Sequence, residues 1–357
     1  MFLKKSAVLF AAALLIAGGI TGCTKKNQDT AEAKLVIGLV TDVGGVNDQS
    51  FNQTSWEGLE RFGKDNPDVK VSYQESKTES DYEPNIEYYA DQDAALIWGI
   101  GFMMGETIQK AGTLHPDRQF AIVDFAYDDP AVQVPNNNVT GVMFAQEECS
   151  FLVGYIAGKM TKTGIVGHVN GIPSPIMEAF AVGYYAGVLT ANPDVKILGQ
   201  YANAFGDPAG GKAIANQFYS ENADIIYAAA GATGNGVIEA AKEQKKWVIG
   251  VDIDQNYIAP DNVLTSALKR VDNAAYDISK QVKDGGFKGG GTALYNLKNG
   301  GVGYAKTGNH IPVEIIAEVD QIAARIISGE QKVPGTAAEI EALFPGKYNL
   351  KSVSNQK

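Results

Sequence analysis

From Leu35 onward, short apolar runs rich in β-branched residues alternate with amphipathic stretches almost without interruption, and this alternation restricts the fold more than any single motif. The apolar runs predict strands over 35–41, 69–76, 94–98, 120–123 and 139–144, with helices over 51–65, 82–91 and 104–114 between them. A second series follows, with strands over 165–169, 196–201, 224–229 and 247–251 and helices over 147–160, 174–190, 208–220 and 236–244. Strands joined by crossover helices form parallel sheets. Two such series predict an α/β protein of two doubly wound, parallel-sheet lobes facing each other across a cleft.

The tail predicts a strand over 263–269, a helix over 273–283, short strands over 292–297 and 302–305, and a last helix over 313–328. These elements are too few for a third domain, so they are expected to complete the two sheets. The chain then crosses between lobes more than once, and several crossing segments make a hinge that permits closure on a ligand. The expected division is 34–144 plus about 270–310 for the first lobe and 145–269 plus about 311–350 for the second, since 335 residues exceed what one core serves.

The first residues carry Lys4 and Lys5, an apolar run over 7–17, and then Ile20-Thr21-Gly22-Cys23. A charged start, a short apolar core and small residues before a cleavage point describe an export signal over 1–22, too short for a membrane span. A cysteine at that point looks like the acylation site of a bacterial lipoprotein, the alternative being an ordinary export signal with a stray cysteine. Each buried methylene of an acyl chain contributes about 0.8 kcal/mol, so two or more chains on Cys23 hold a soluble domain at a membrane surface. Residues 23–33 are then a polar tether. Loss of Lys4 and Lys5 takes the formal charge from −11 to −13, and no basic stripe offers a face for phosphates, so nucleic acid is excluded as a partner. With Cys23 acylated, Cys149 is left as a buried, inert thiol with no disulfide framework.

The stretch TDVGGVNDQSFN, over 41–52, joins the first strand to the first helix. Loops at the carboxyl ends of parallel strands are where ligands bind. Here Gly44 and Gly45 permit unusual backbone, Asp42 and Asn47 supply hydrogen-bonding groups, and Phe51 supplies a flat face. A plain turn with Asp48 or Ser50 as N-cap explains the same residues. Residues of ligand-binding type recur at later strand ends: Asp124, Phe205, Gly231 to Gly234, Asp252 and Lys269. Other motifs lead nowhere. Gly206 to Ala213 fits the phosphate-loop spacing except that Ala213 lacks the hydroxyl a metal needs, and Asp207 as N-cap with Pro208 in the first turn explains it better. His115, His168 and His310 are too dispersed for a zinc site or a Ser-His-Asp triad. Asp42 and Asp48 suggest the calcium site of a nucleoside hydrolase, but six or more oxygens ask for a denser aspartate run. No metal or cofactor is expected.

The segments TDVGGVNDQSFN, WGIGF (98–102), IVDFAYD (122–128), AAAGATGNGV (228–237), GVDIDQ (250–255) and TSALKR (265–270) together resemble the basic membrane protein family of lipoproteins, nucleoside-binding components of ABC importers. The resemblance covers nearly all of the chain after the tether. It implies a type I periplasmic-binding-protein fold with a multi-strand hinge, capture of a nucleoside without catalysis, a permease as membrane partner, and a monomer anchored on the extracytoplasmic face. It further implies stacking aromatics at Phe51 and Phe205, a base-edge reader at Asp124 helped by Asn52 and Asp42, and a ribose-binding pair at Asp252 and Lys269 near Gly231. A receptor for a sugar or another small solute on the same fold is the nearest alternative, and the hydrolase a more distant one.

Overall fold

The computed structural model describes residues 35–127 and 137–350. The export signal, Cys23 and the tether, together with Asp128, lie outside them. The first series folds as β1 (Leu35–Val40), α1 (Phe51–Asp65), β2 (Val69–Gln74), α2 (Tyr82–Asp91), β3 (Leu96–Ile100), α3 (Gly105–Leu114), β4 (Gln119–Val123) and β5 (Val139–Phe144). The second comprises α4 (Gln146–Met160), β6 (Ile165–Asn170), α5 (Pro175–Ala191), β7 (Lys196–Tyr201), α6 (Pro208–Ser220), β8 (Ile225–Ala229), α7 (Ala232–Gln244), β9 (Trp247–Asp252) and β10 (Val263–Lys269). Then come α8 (Val271–Lys283), β11 (Gly291–Tyr295), β12 (Val302–Tyr304), α9 (Val313–Ser328) and α10 (Ala337–Leu343).

These strands form two six-stranded sheets, ordered β11-β5-β4-β3-β1-β2 and β12-β10-β9-β8-β6-β7. All pairings are parallel except that of β12 with β10. Central strands such as β3 (LIWGI) and β8 (IIYAA) are buried along their whole length, because helices cover both faces of each sheet. Helices α4 and α5 pack with their backbones unusually close. A Cβ on Gly154 would lie 2.3 Å from the carbonyl oxygen of Tyr184, and one on Gly187 would lie 2.1 Å from that of Phe151.

The chain passes between sheets three times, after β5, after β10 and between β11 and β12, and the crossing segments bond to one another. Ala145 donates its N–H to the Tyr295 carbonyl (2.8 Å), and Arg270 donates to Gly301 (2.9 Å). One expected boundary moves. Val302–Tyr304, expected in the first lobe, reverses at Gly300 and Gly301 and pairs with β10 in the second sheet. Helix α10 has no counterpart among the expected elements. Its seven residues are too few for a clear helical period, although Thr336 and Glu339 form a capping box.

Candidate functional site

The loop between β1 and α1 is organised by two buried carboxylates sharing one amide. The Asp48 carboxyl group stands at the start of α1, accepting from the backbone N–H of Ser50 (2.9 Å), Asn52 (2.8 Å) and Gln53 (3.0 Å). The Asn52 amide donates to Asp42 Oδ1 (2.7 Å) and to Asp48 Oδ2 (3.0 Å), and its oxygen accepts from the Asp42 N–H (3.2 Å). Both N–H groups of Asn52 are therefore spent on holding the loop, whereas the resemblance assigns it to the ligand's base edge. Gly44 donates its N–H to Asp42 Oδ1 (2.8 Å), and a Cβ there would crowd both Asn52 and Asp42. Burial pushes Asp42 up to about 6, against the hydrogen bonds from Gly44 and Asn52. Burial also raises Asp48, opposed by its backbone donors.

Two further aspartates stand at matching places in the two lobes. Asp124 directly follows β4 and Asp252 is the last residue of β9, the fourth strand of each series, and each has φ of +66°, a conformation that turns the carboxylate out of the strand line. Lys269, the last residue of β10, donates to Asp124 Oδ1 (2.7 Å) and Oδ2 (2.6 Å), with both side chains buried. Its ammonium also lies 5.1 Å from the ring centroid of Phe51, 5.2 Å from that of Phe144 and 5.3 Å from that of Phe180, a partly aromatic enclosure for the charge. Lys269 is thus bound to Asp124 across the cleft, where the resemblance pairs it with Asp252 on a pentose. Asp252 instead accepts from the Ser50 hydroxyl of the other lobe. Burial pushes Asp252 up to about 7, a rise that the nearby Lys269 and the Ser50 hydrogen bond reduce and that Asp48 and Asp124 reinforce.

These groups surround a cavity of about 570 Å³ between the lobes, counted out to its mouth, within the range of small-molecule sites. Asp42, Phe51, Asn52, Asp124, Phe205, Gly231, Asp252 and Lys269 all line it. Phe51 enters from the first turn of α1 in one lobe, and Phe205 enters from the loop before α6 in the other. The Phe205 ring sits on Gly171, where a Cβ would come within 2.1 Å of a ring carbon, and packs edge-on to Phe102 with centroids 6.4 Å apart. Sequence reasoning missed Phe102, Met177 and Phe180 as lining residues. Met177 and Phe180 belong to a helix buried nearly all round, so nothing in the period of α5 separates the part that faces the cavity from the part that faces the core. Asp48, weighed along the sequence as a cap and as half of a calcium site, is both a cap for α1 and part of the cavity wall.

The phosphate-loop decoy resolves as a helix start. Asp207 accepts from the Gly210 N–H (2.9 Å), and Lys212 is held by Glu239 and Glu243 (2.9 Å each). Cys149 is buried, which raises its thiol well above the usual range. Among the described residues, no group of three or more His, Cys, Asp or Glu is arranged to hold a metal ion, and no helix is long and apolar enough to cross a membrane.

Two parallel-sheet lobes, three crossing segments and a charged, aromatic cavity between them define a solute-binding protein of the type I periplasmic fold. A solved ABC transporter solute-binding protein from Aeropyrum pernix superposes with a TM-score of 0.76 at 27% identity, covering 87% of this chain and 96% of that one. Residues 35–337 match the family described as ABC transporter substrate-binding protein, PnrA-like, and the chain belongs to that family. It is 38% identical to the CD4+ T-cell-stimulating antigen of Listeria innocua, over 93% of this chain and 99% of that one. It is 36% identical to the ABC transporter nucleoside-binding protein BmpA of Lactococcus lactis, over 92% and 97%.

Proposed function

We propose that this substrate-binding protein captures nucleosides, purine nucleosides foremost, and delivers them to the permease of an ABC importer while anchored through acylated Cys23 on the extracytoplasmic face of the membrane. The observation that carries this reading is the meeting, in one cavity, of Phe51 and Phe205 from opposite lobes with the buried carboxylates of Asp124 and Asp252. A purine has two flat faces and a polar edge, which suit aromatic walls and an acidic rim. The relative from Lactococcus, similar along its whole length, is named for nucleoside binding. In this reading Asp124, held by Lys269, reads the base edge, and Asp252 accepts from the vicinal hydroxyls of ribose. Asp42 faces the ligand, while Asn52 fixes Asp42 in place.

The magnitudes suffice. Stacking contributes about 1–3 kcal/mol per aromatic contact and a hydrogen bond to a charged group about 1.5–3 kcal/mol. After the cost of association and closure, a submicromolar dissociation constant, more than about 8 kcal/mol, is within reach. Four buried carboxylates against one ammonium that is already paired make the cavity hostile to a phosphate, so nucleotides bind worse than nucleosides. Isothermal calorimetry with inosine, adenosine and guanosine tests the site. Phe51→Ala and Asp252→Ala each weaken binding at least about tenfold. Near-native affinity in both variants rejects the assignment, and competition by micromolar free ribose favours a sugar receptor instead.

A further inference from the structure

Three consecutive residues of the β1–α1 loop are gripped from the other lobe by groups that do not line the cavity or that reach past it. The backbone carbonyl of Asp48 accepts from Asn235 Nδ2 on α7 (3.0 Å), and the carbonyl of Gln49 accepts from Gln255 Nε2 (2.8 Å). The Ser50 hydroxyl donates to Asp252 at the end of β9. Gln49 has φ of +57°, an uncommon conformation for a residue with a side chain, and its carbonyl is the one that meets Gln255. Gln255 is itself braced on its own side. It is buried, its Oε1 accepts from the Val251 N–H (3.0 Å), and its backbone N–H donates to the Ser266 hydroxyl (3.1 Å). Beyond it, Tyr257 stands beside Gln53 and Glu57 of α1.

Neither Asn235 nor Gln255 borders the cavity, and neither does Gln49 or Ser50. Both amide donors point at main-chain oxygens, so what they recognise is the position of the loop and not the identity of any solute. A rotation about the crossing segments that opens the cleft draws these atoms apart and returns them to water. We propose that Asn235 and Gln255 form a closure latch, positioning residues that bind the Asp48 and Gln49 carbonyls only when the lobes are shut and so set how long a captured solute is retained. The proposal rests on the reading of the cavity as the capture site, and it adds a division of labour. The cavity wall chooses the solute, and the latch sets its residence time.

Asn235→Ala removes one donor and leaves the rest of α7 in place. Gln255→Glu keeps an acceptor for the Val251 N–H while replacing the donor that meets Gln49 with an oxygen. With full-length protein, stopped-flow release of inosine is expected to speed up about threefold to tenfold in each variant, with association changed less than about twofold. The relative affinities of inosine, adenosine and guanosine stay in the same order. In the double variant, the distance distribution between spin labels on exposed positions of the two lobes shifts toward longer values, while the thermal unfolding midpoint of Asn235→Ala stays close to that of the parent. Unchanged release and unchanged distances overturn the latch, and so does a reordered ligand series, which would make these residues solute contacts. If none of the three nucleosides binds the parent protein, the nucleoside reading fails and the distance distribution alone decides the latch.

Discussion

The two lobes share one strand order, position for position, and differ in what they bring to the cleft. The β11-β5-β4-β3-β1-β2 sheet and the β12-β10-β9-β8-β6-β7 sheet correspond strand by strand, down to an aspartate with φ of +66° at the carboxyl end of the fourth strand of each series. After the first strand the lobes part. The loop after β1 carries Asp42, Asp48 and Asn52 in a bonded cluster, whereas the connection after β6 leads into α5, which presents Ile176, Met177 and Phe180. After the fifth strand they part again, because β5 ends in Phe144 and β10 ends in Lys269. The matched aspartates consequently live in different surroundings. Asp124 has the lysine, and Asp252 has a hydroxyl and a carboxyl group pushed up to about 7. A repeated scaffold fixes where functional groups stand, and the side chains at the strand ends decide what each position does.

Removing the lysine breaks this asymmetry most severely. Lys269→Met leaves Asp124 buried without its counter-charge, and the expected loss of stability is about 3–5 kcal/mol by denaturant unfolding, with binding of inosine abolished in calorimetry. Next in size is the exchange of the other aspartate. Asp252→Asn keeps the shape and loses the anionic acceptor, so affinity for inosine falls about tenfold or more, while affinity for 2′-deoxyinosine, which has one hydroxyl donor fewer to lose, falls less.

The pH dependence sharpens the comparison at a smaller scale. Asp42 at about 6 and Asp252 at about 7 bind protons that an unfolded aspartate, near 3.8, has already released. Between about pH 4 and pH 7 the folded protein therefore holds more protons than the unfolded chain, and the contribution of these two groups to stability falls as pH rises through that window. Unfolding midpoints measured across it are expected to show this fall, and Asp252→Asn is expected to flatten it. Because ribose hydroxyls favour the ionised form of Asp252, nucleoside binding near pH 6.5 releases protons, which calorimetry in buffers of different ionisation heat detects. The smallest effect is expected at the decoy. Lys212→Ala changes affinity for inosine less than about twofold, since Lys212 serves only Glu239 and Glu243 at the surface of the second lobe.

Much of the architecture was legible along the chain. Helix α1 begins and ends where its amphipathic period and the apolar strand before it say it must, and the strand-end aspartates stood out because a charge directly after a buried β-branched run has to leave the core. That Asp48 or Ser50 starts α1 was also legible, since capping is a local matter of a few residues; Ser50 holds the cap position and Asp48 accepts from the first helical N–H groups. What escaped was non-local. The pairing of β12 with β10 depends on a reversal at Gly300 and Gly301 that places three residues beside a strand more than thirty positions earlier. The exposure of Met177 and Phe180 to the cavity depends on which side of α5 meets α4.

The sequence by itself determined the two α/β series and the set of side chains standing at the sheet edges, because periodicity and turn chemistry act over a few residues at a time, and its motifs taken together resembled the family to which the chain belongs. Only the tertiary structure decided who partners whom. Lys269 bonds to Asp124 and not to Asp252, Asn52 spends its amide inside its own loop, and Asn235 and Gln255 reach main-chain oxygens of the opposite lobe. Each of these bonds joins groups brought together by the closing of two sheets on one cleft, and a one-dimensional pattern carries no record of distances set by that closure.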